Sequence, residues 1–261
     1  MRRRVKLALS SKSSVRTLAT HPSRVMILAA IVTAAMTSAA AQPSGDVNTP
    51  TRMQVDRSAR WTVTWAASPQ LGAGAGGDLP ELITNQTIRQ VVHISAGGMR
   101  VRVRLSNEFG TSPLVIGKAT VAVSRDGSHI DPLTLRTLTV EGASLLTIPP
   151  GAASVSDPVN LDVKPLTDLA ISLYLPRRTT IETVHLAGFQ TGYLGERGDQ
   201  TTNRAISNGS TFSERLFLTA VEVDPARPTS AIVAFGDSIT DGGGSTPDAN
   251  RRGQIFWPNA S

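Results

Sequence analysis

The sequence predicts a mainly β fold: an antiparallel sandwich or jelly-roll domain, followed by the first βα unit of an α/β domain. Three observations carry this. From Trp61 to Val223, short runs alternate apolar and polar residues with period two, and no convincing helical stripe interrupts them. Turn residues punctuate the runs: Asp126-Gly127, Pro149-Pro150-Gly151, Asp157-Pro158 and Asn208-Gly209. Near the end, the apolar pentapeptide 231–235 meets Gly236 and gives way to Asp237-Ser238-Ile239-Thr240-Asp241-Gly242.

Taken in order, the chain begins with an address. Residues 1–41 hold Arg2, Arg3, Arg4, Lys6, Lys12, Arg16 and Arg24 and no acid. The apolar run from Val25 to Met36 is too short to span a bilayer comfortably, and Ala39-Ala40-Ala41 offers a small-residue cleavage site before Gln42. A secretory signal over 1–41 predicts a secreted or periplasmic protein with no stable membrane span once the signal is removed; an uncleaved anchor is the alternative. The signal also explains the charge. The whole chain has 26 basic and 20 acidic residues, but without residues 1–41 it is 19 against 20. The basic excess therefore belongs to the signal, and no nucleic-acid partner is expected. With no cysteine there is no disulfide framework and no thiolate metal site. Residues 42–58 are polar, contain Pro43, Gly45 and Pro50, and read as a linker.

Residues 59–224 read as the β domain. Trp61-Thr-Val-Thr-Trp65 alternates. Arg100-Val-Arg-Val-Arg-Leu105 alternates too, with Val101, Val103 and Leu105 inward and the arginines outward. Thr87–Ser95 reads as its hairpin partner through Gly97-Gly98. Glycine-rich Leu71–Leu79 reads as a loop. Further strands are expected at Leu114–Ser124, Leu135–Val140, Ser144–Ile148, Val159–Val163, Leu169–Leu175, His185–Thr191 and Leu216–Val223.

Several side chains here have two readings. Arg100, Arg102 and Arg104 make a solvated outer face, or a stripe facing a glycan or another domain. His93 and His185 sit among apolar neighbours and read as packing residues rather than ligands. His129 closes Asp126-Gly-Ser-His129, which reads as turn chemistry. Trp61, Trp65, Phe189 and Tyr193 suit core packing, with a sugar platform as the alternative. No set of His, Asp and Glu has metal-site spacing, so neither metal nor cofactor is expected.

Pro225, Pro228 and Ser230 mark a boundary, and residues 229–261 read as the start of a second domain. A buried strand over 231–235 would set Ser238 at its carboxyl end, where α/β sheets build their sites. Ile239–Gly242 would open a helix whose N-terminus suits an oxyanion.

The stretch from Gly236-Asp237-Ser238-Ile239 through Thr240-Asp241-Gly242 closely resembles block I of the SGNH (GDSL) hydrolases, a family of serine esterases and lipases. The likeness extends upstream. Trp61-Thr-Val-Thr-Trp-Ala-Ala-Ser-Pro69, Gln86-Thr-Ile-Arg-Gln-Val-Val-His93, Arg102-Val-Arg-Leu-Ser-Asn-Glu-Phe-Gly110, Asp157-Pro-Val-Asn-Leu161 and Leu169-Ala-Ile-Ser-Leu-Tyr-Leu175 look like the β domain of one group of secreted bacterial SGNH esterases. The resemblance implies a flavodoxin-like SGNH domain after a β sandwich, with a glycan or lipid ester as substrate. It implies Ser238 as nucleophile, its backbone N–H as an oxyanion donor, and Gly236 and Asp237 as motif support.

The likeness fades after Arg252. The family's next helix carries an early Trp-Pro, whereas here Gly253-Gln-Ile-Phe precedes Trp257-Pro258. An insertion or frameshift with an early stop is the expectation, leaving a catalytically incomplete fragment. The block II glycine, block III asparagine and late Asp-x-x-His of the family are absent, and no histidine follows Ser238. The rival expectation is a non-catalytic carbohydrate- or cell-envelope-binding module, which would retain glycan without turnover. A structural envelope protein would do neither.

Overall fold

The computed structural model describes residues 60–72, 82–227, 229–230 and 233–249. The expected signal (1–41) and linker (42–58), most of the glycine-rich loop, and Trp257-Pro258 lie outside the described residues. No described helix is long and apolar enough to cross a membrane.

The alternating runs become strands. In chain order these are β1 (Thr62–Ala66), β2 (Gln70–Leu71), β3 (Leu82–Ile83), β4 (Gln86–His93), β5 (Gly98–Asn107), β6 (Leu114–Ile116) and β7 (Lys118–Asp126). There follow β8 (His129–Ile130), β9 (Arg136–Leu138), β10 (Leu146–Ile148), β11 (Ala152–Val155), β12 (Val159–Val163) and β13 (Asp168–Leu175). The last are β14 (Thr179–Thr180), β15 (Thr183–His185), β16 (Gly192–Arg197), β17 (Ser210–Phe212), β18 (Arg215–Leu216) and β19 (Leu218–Asp224). A 3-10 turn, Pro132–Thr134, is capped by the Asp131 side chain.

Two antiparallel sheets dominate. One runs β1-β19-β5-β11, with β12 also on β5; the other runs β17-β16-β4-β13-β7-β8, with β9 also on β7. Both feed one apolar core. Val101, Val103 and Leu105 of β5 and Val221 and Val223 of β19 join Ile88 and Val92 of β4, Val121 of β7 and Leu169, Ile171 and Leu173 of β13. The period-two reading of β5 therefore holds: its valines and leucine are buried, and Arg100, Arg102 and Arg104 face outward. The mainly β, antiparallel expectation is met.

The runs 114–124 and 216–223, each expected as one strand, split into β6 and β7 and into β18 and β19, which lie in different sheets. Three further expectations change. First, β4 and β5 do not form a hairpin. They lie in different sheets, and the link between them carries the chain across, held where Ile94 N–H donates to Thr167 O and Leu166 N–H to Ile94 O. Gly98 has a different reason to be glycine: a Cβ there would sit 2.6 Å from Asp224 O on β19, so the backbone approach needs its absence. Second, the run 185–191 is strand only as far as His185, and 186–191 is loop. Third, the buried strand expected over 231–235 is not formed in its described part. Val233 is 85% exposed and Phe235 fully exposed, and neither belongs to a strand. A buried parallel strand needs neighbours on both sides. Among the described residues every ladder is antiparallel and none includes this segment. Residues 239–242 form turns rather than a helix for the same reason: the apolar face of Ile239 has no sheet to cover it.

Candidate functional site

The Ser238 segment folds as a tight turn built from its own residues. The Asp237 carboxylate accepts from Ile239 N–H at 3.0 Å, an Asx-type cap. Asp241 N–H donates to Asp237 O at 3.0 Å, Gly242 N–H to Ile239 O at 3.1 Å, and Gly243 N–H to Ser238 O at 2.6 Å. The turn requires Gly242, whose φ is +96°, a conformation that a side chain disfavours. Ser238 itself is exposed. Among the described residues neither its hydroxyl nor its backbone N–H has a hydrogen-bond partner. Within the described residues the hydroxyl and the N–H of Ser238 are thus both uncommitted.

The turn is fastened to the β domain at two points. Asp241 Oδ2 lies 3.1 Å from His185 Nε2 at the end of β15. Asp248 Oδ1 accepts from Thr191 N–H and Oδ2 from the Thr191 hydroxyl, both at 2.6 Å, while Asp248 N–H donates to Phe189 O at 3.0 Å. The loop that replaces the expected strand after His185 is thus the anchorage for the serine segment. His185 is buried, and its other ring nitrogen, Nδ1, lies 2.9 Å from Ser68 O.

The other histidines are committed locally. His93 Nδ1 is 2.7 Å from Asp168 Oδ1, its register partner across β4 and β13. His129 is exposed, and its Nδ1 lies 3.2 Å from Asp126 O, so Asp126–His129 is turn structure as expected. No hydrogen bond joins a described histidine to Ser238. No described cluster of His, Asp and Glu suits a metal ion.

The arginine stripe is outward but not bare. Arg100 donates to Asp224 and Arg102 to Glu222, each across the β5–β19 register, and Trp61 covers both guanidinium groups at 5.6 and 4.4 Å. That stacking uses a face of Trp61 that a sugar would need. Trp65 packs against the core.

Sequence reasoning missed Arg89. It sits fully buried in β4, where Nε donates to Ser172 Oγ, Nη1 to Ser128 O and Nη2 to Asn203 O. Burial pulls its guanidinium down to about 10, still charged at neutral pH. The available signal was one cation inside the run Thr87–Val92, every residue of which is buried. The role of Asp248 left no comparable trace in the sequence.

No family model matches the chain, and no curated protein is significantly similar to it.

Proposed function

We propose that this chain carries the nucleophile segment of an exported SGNH-type carboxylic-ester hydrolase, with a β-sandwich domain before it. Ser238 attacks the ester carbonyl and gives up its hydroxyl proton, and its own N–H faces the developing oxyanion. The tetrahedral adduct expels the alcohol with that proton, and water then hydrolyses the acyl-serine to the carboxylic acid and the free hydroxyl. No metal or cofactor takes part in these steps. The observation that carries the reading is the exposed Ser238, with hydroxyl and N–H both uncommitted, in a glycine-dependent turn bearing the family's wording. The covered Trp61 face gives the glycan-binding alternative no comparable support.

The chemistry also needs a base for the hydroxyl, an acid to orient that base, and further oxyanion donors. His93, His129 and His185 face other partners, and no histidine follows Ser238. These residues by themselves are expected to accept an acyl group slowly and not to turn over.

Stoichiometric acylation tests the reading. The full chain is treated with p-nitrophenyl acetate at mildly alkaline pH, and acetyl-serine is located by peptide mass spectrometry. Ser238 should be acetylated severalfold faster than exposed Ser230. Equal labelling of the two would overturn the assignment.

A further inference from the structure

We propose that His185 is a positioning residue for Ser238: its doubly protonated ring latches the nucleophile turn onto the β domain through Asp241. The inference rests on the ester-hydrolase reading only for its purpose, which is to present Ser238.

Both ring nitrogens of His185 face acceptors, Ser68 O at Nδ1 and the Asp241 carboxylate at Nε2. A neutral imidazole carries one N–H and satisfies one of these; two acceptors call for two N–H groups. Donating to both acceptors at once takes the doubly protonated ring. The ring is buried at the end of β15, so its place is set by the sheet rather than by the turn. Across β15, β18 presents Arg215 as the register partner of His185, and β2 presents uncharged Gln70 opposite Val184. Among the described residues, the charged groups seen at the latch include Asp241 on the serine segment and Arg215 on β18.

The chemistry gives the latch a direction. Deprotonation of His185 removes one of two hydrogen bonds and the attraction to Asp241, so the turn loosens as the ring becomes neutral. The second fastening, Asp248 on Thr191 and Phe189, contains no histidine and does not share that dependence. Together they make a clasp with one proton-dependent arm and one arm without a histidine, three and ten residues beyond Ser238. The β domain then serves as the frame of the nucleophile turn and not merely as a neighbouring module.

Amide exchange on the full chain tests this, with rates corrected for the intrinsic effect of pH. In the wild type, peptides covering 238–244 should be more protected at pH 5.5 than at pH 8, by up to about fivefold for a partly exposed ion pair. Asp241→Asn should erase that difference while leaving the exchange of β4, β5 and β13 unchanged, which shows that the fold is intact. Asp248→Asn should lower protection at both pH values and keep the difference. His185→Gln should give pH-independent protection; because His185 is buried and its variant can disturb the sheet, the Asp241 variant decides. Equal wild-type protection at both pH values, or a difference that survives Asp241→Asn, overturns the latch. The acylation experiment is a separate readout: pH-dependent protection without preferential Ser238 labelling would sink the esterase reading and leave the latch standing, and labelling without pH-dependent protection would do the reverse.

Discussion

Arg89 on β4 and Ser172 on β13 are register partners in the middle of a sheet, and the Arg89 Nε donates to the Ser172 hydroxyl at 2.8 Å. The rest of the guanidinium reaches Ser128 O at 2.6 Å, Asn203 O at 2.9 Å and the carbonyls of Gln200 and Thr201. One cation thus ties the 127–128 turn and the 199–204 loop to the face of the sheet turned away from the main core. A buried charge without a carboxylate is tolerated because five donors meet several carbonyl dipoles.

Arg89→Leu should therefore destabilise the protein by roughly 3–5 kcal/mol, because it strands buried acceptors as well as removing bonds. Arg89→Lys should cost less but remain destabilising, since an ammonium has three donors and cannot span both loops. Urea unfolding followed by circular dichroism measures both. A Leu variant as stable as the wild type would mean that the loops are held without the guanidinium. Folding lowers the pKa of this base, so burial costs stability at every pH below about 10 and adds no slope near neutrality.

Asp157 provides a pH-sensitive contact within the β domain. Burial pushes its carboxyl up, but the Thr139 hydroxyl at 2.6 Å and the N–H groups of Gly142 and Glu141 more than offset this and hold it below the ordinary carboxylate range. The charged form is the stabilised one. Its contribution is complete above the unfolded value of about 3.9 and fades as pH falls through the lower folded value. Asp157→Asn should cost about 0.5–1.5 kcal/mol at pH 7 and progressively less below about pH 4. Parallel melts of both proteins at pH 7 and pH 3 check this; a gap that widens on acidification would contradict the assignment.

How legible this was depended on how local the cause is. Period-two burial is a property of neighbouring residues, so β12 and β13 could be read within a residue of their observed ends and β5 within two. Pairing is non-local. Gly97-Gly98 carried a hairpin signal, yet the glycine at 98 answers to Asp224, 126 residues later. Short strands such as β11 and β16 were missed because Ala152–Val155 and Gly192–Arg197 have little alternation of their own and are strands through β5 and β4. At the site, Ser238, Gly236 and Asp237 were legible because a motif is contiguous. The fastenings to His185 and Thr191 were not, because they join residues 56 and 57 positions apart.

Gly242 gives the turn a direct test. At φ +96° and buried, it holds a backbone conformation that a β-branched side chain strains, and Gly242→Val should cost the turn about 1–3 kcal/mol. Since the segment is fastened at Asp241 and Asp248 rather than woven into a sheet, the loss should stay local. Amide exchange should accelerate over 237–249, and the melting of the β domain should move little. A large drop in global stability would show that the serine segment is part of the cooperative core.

Turnover is the sharpest prediction, because here the motif and the rest of the chain point in different directions. The wording around Ser238 is that of a nucleophile, but a free serine hydroxyl is weak at neutral pH without a positioned base. The described histidines are held by Asp168, Asp126 O, Ser68 O and Asp241, and none is hydrogen-bonded to Ser238. Loss of a single oxyanion donor typically costs about 2.7–4 kcal/mol of barrier, and absence of the triad partners removes further orders of magnitude without simple additivity. Purified 42–261 should hydrolyse p-nitrophenyl acetate no faster than its Ser238→Ala variant, even where it is acetylated once. Multiple turnovers lost on Ser238→Ala would mean that a base does reach the serine. His185 would then be the first to test, because Asp241 already draws its ring to the serine turn. Turnover that survives His185→Ala, even lowered by loss of the latch, would place the base at His93, His129 or a second chain, and turnover abolished there but kept in Asp241→Asn would place it at His185.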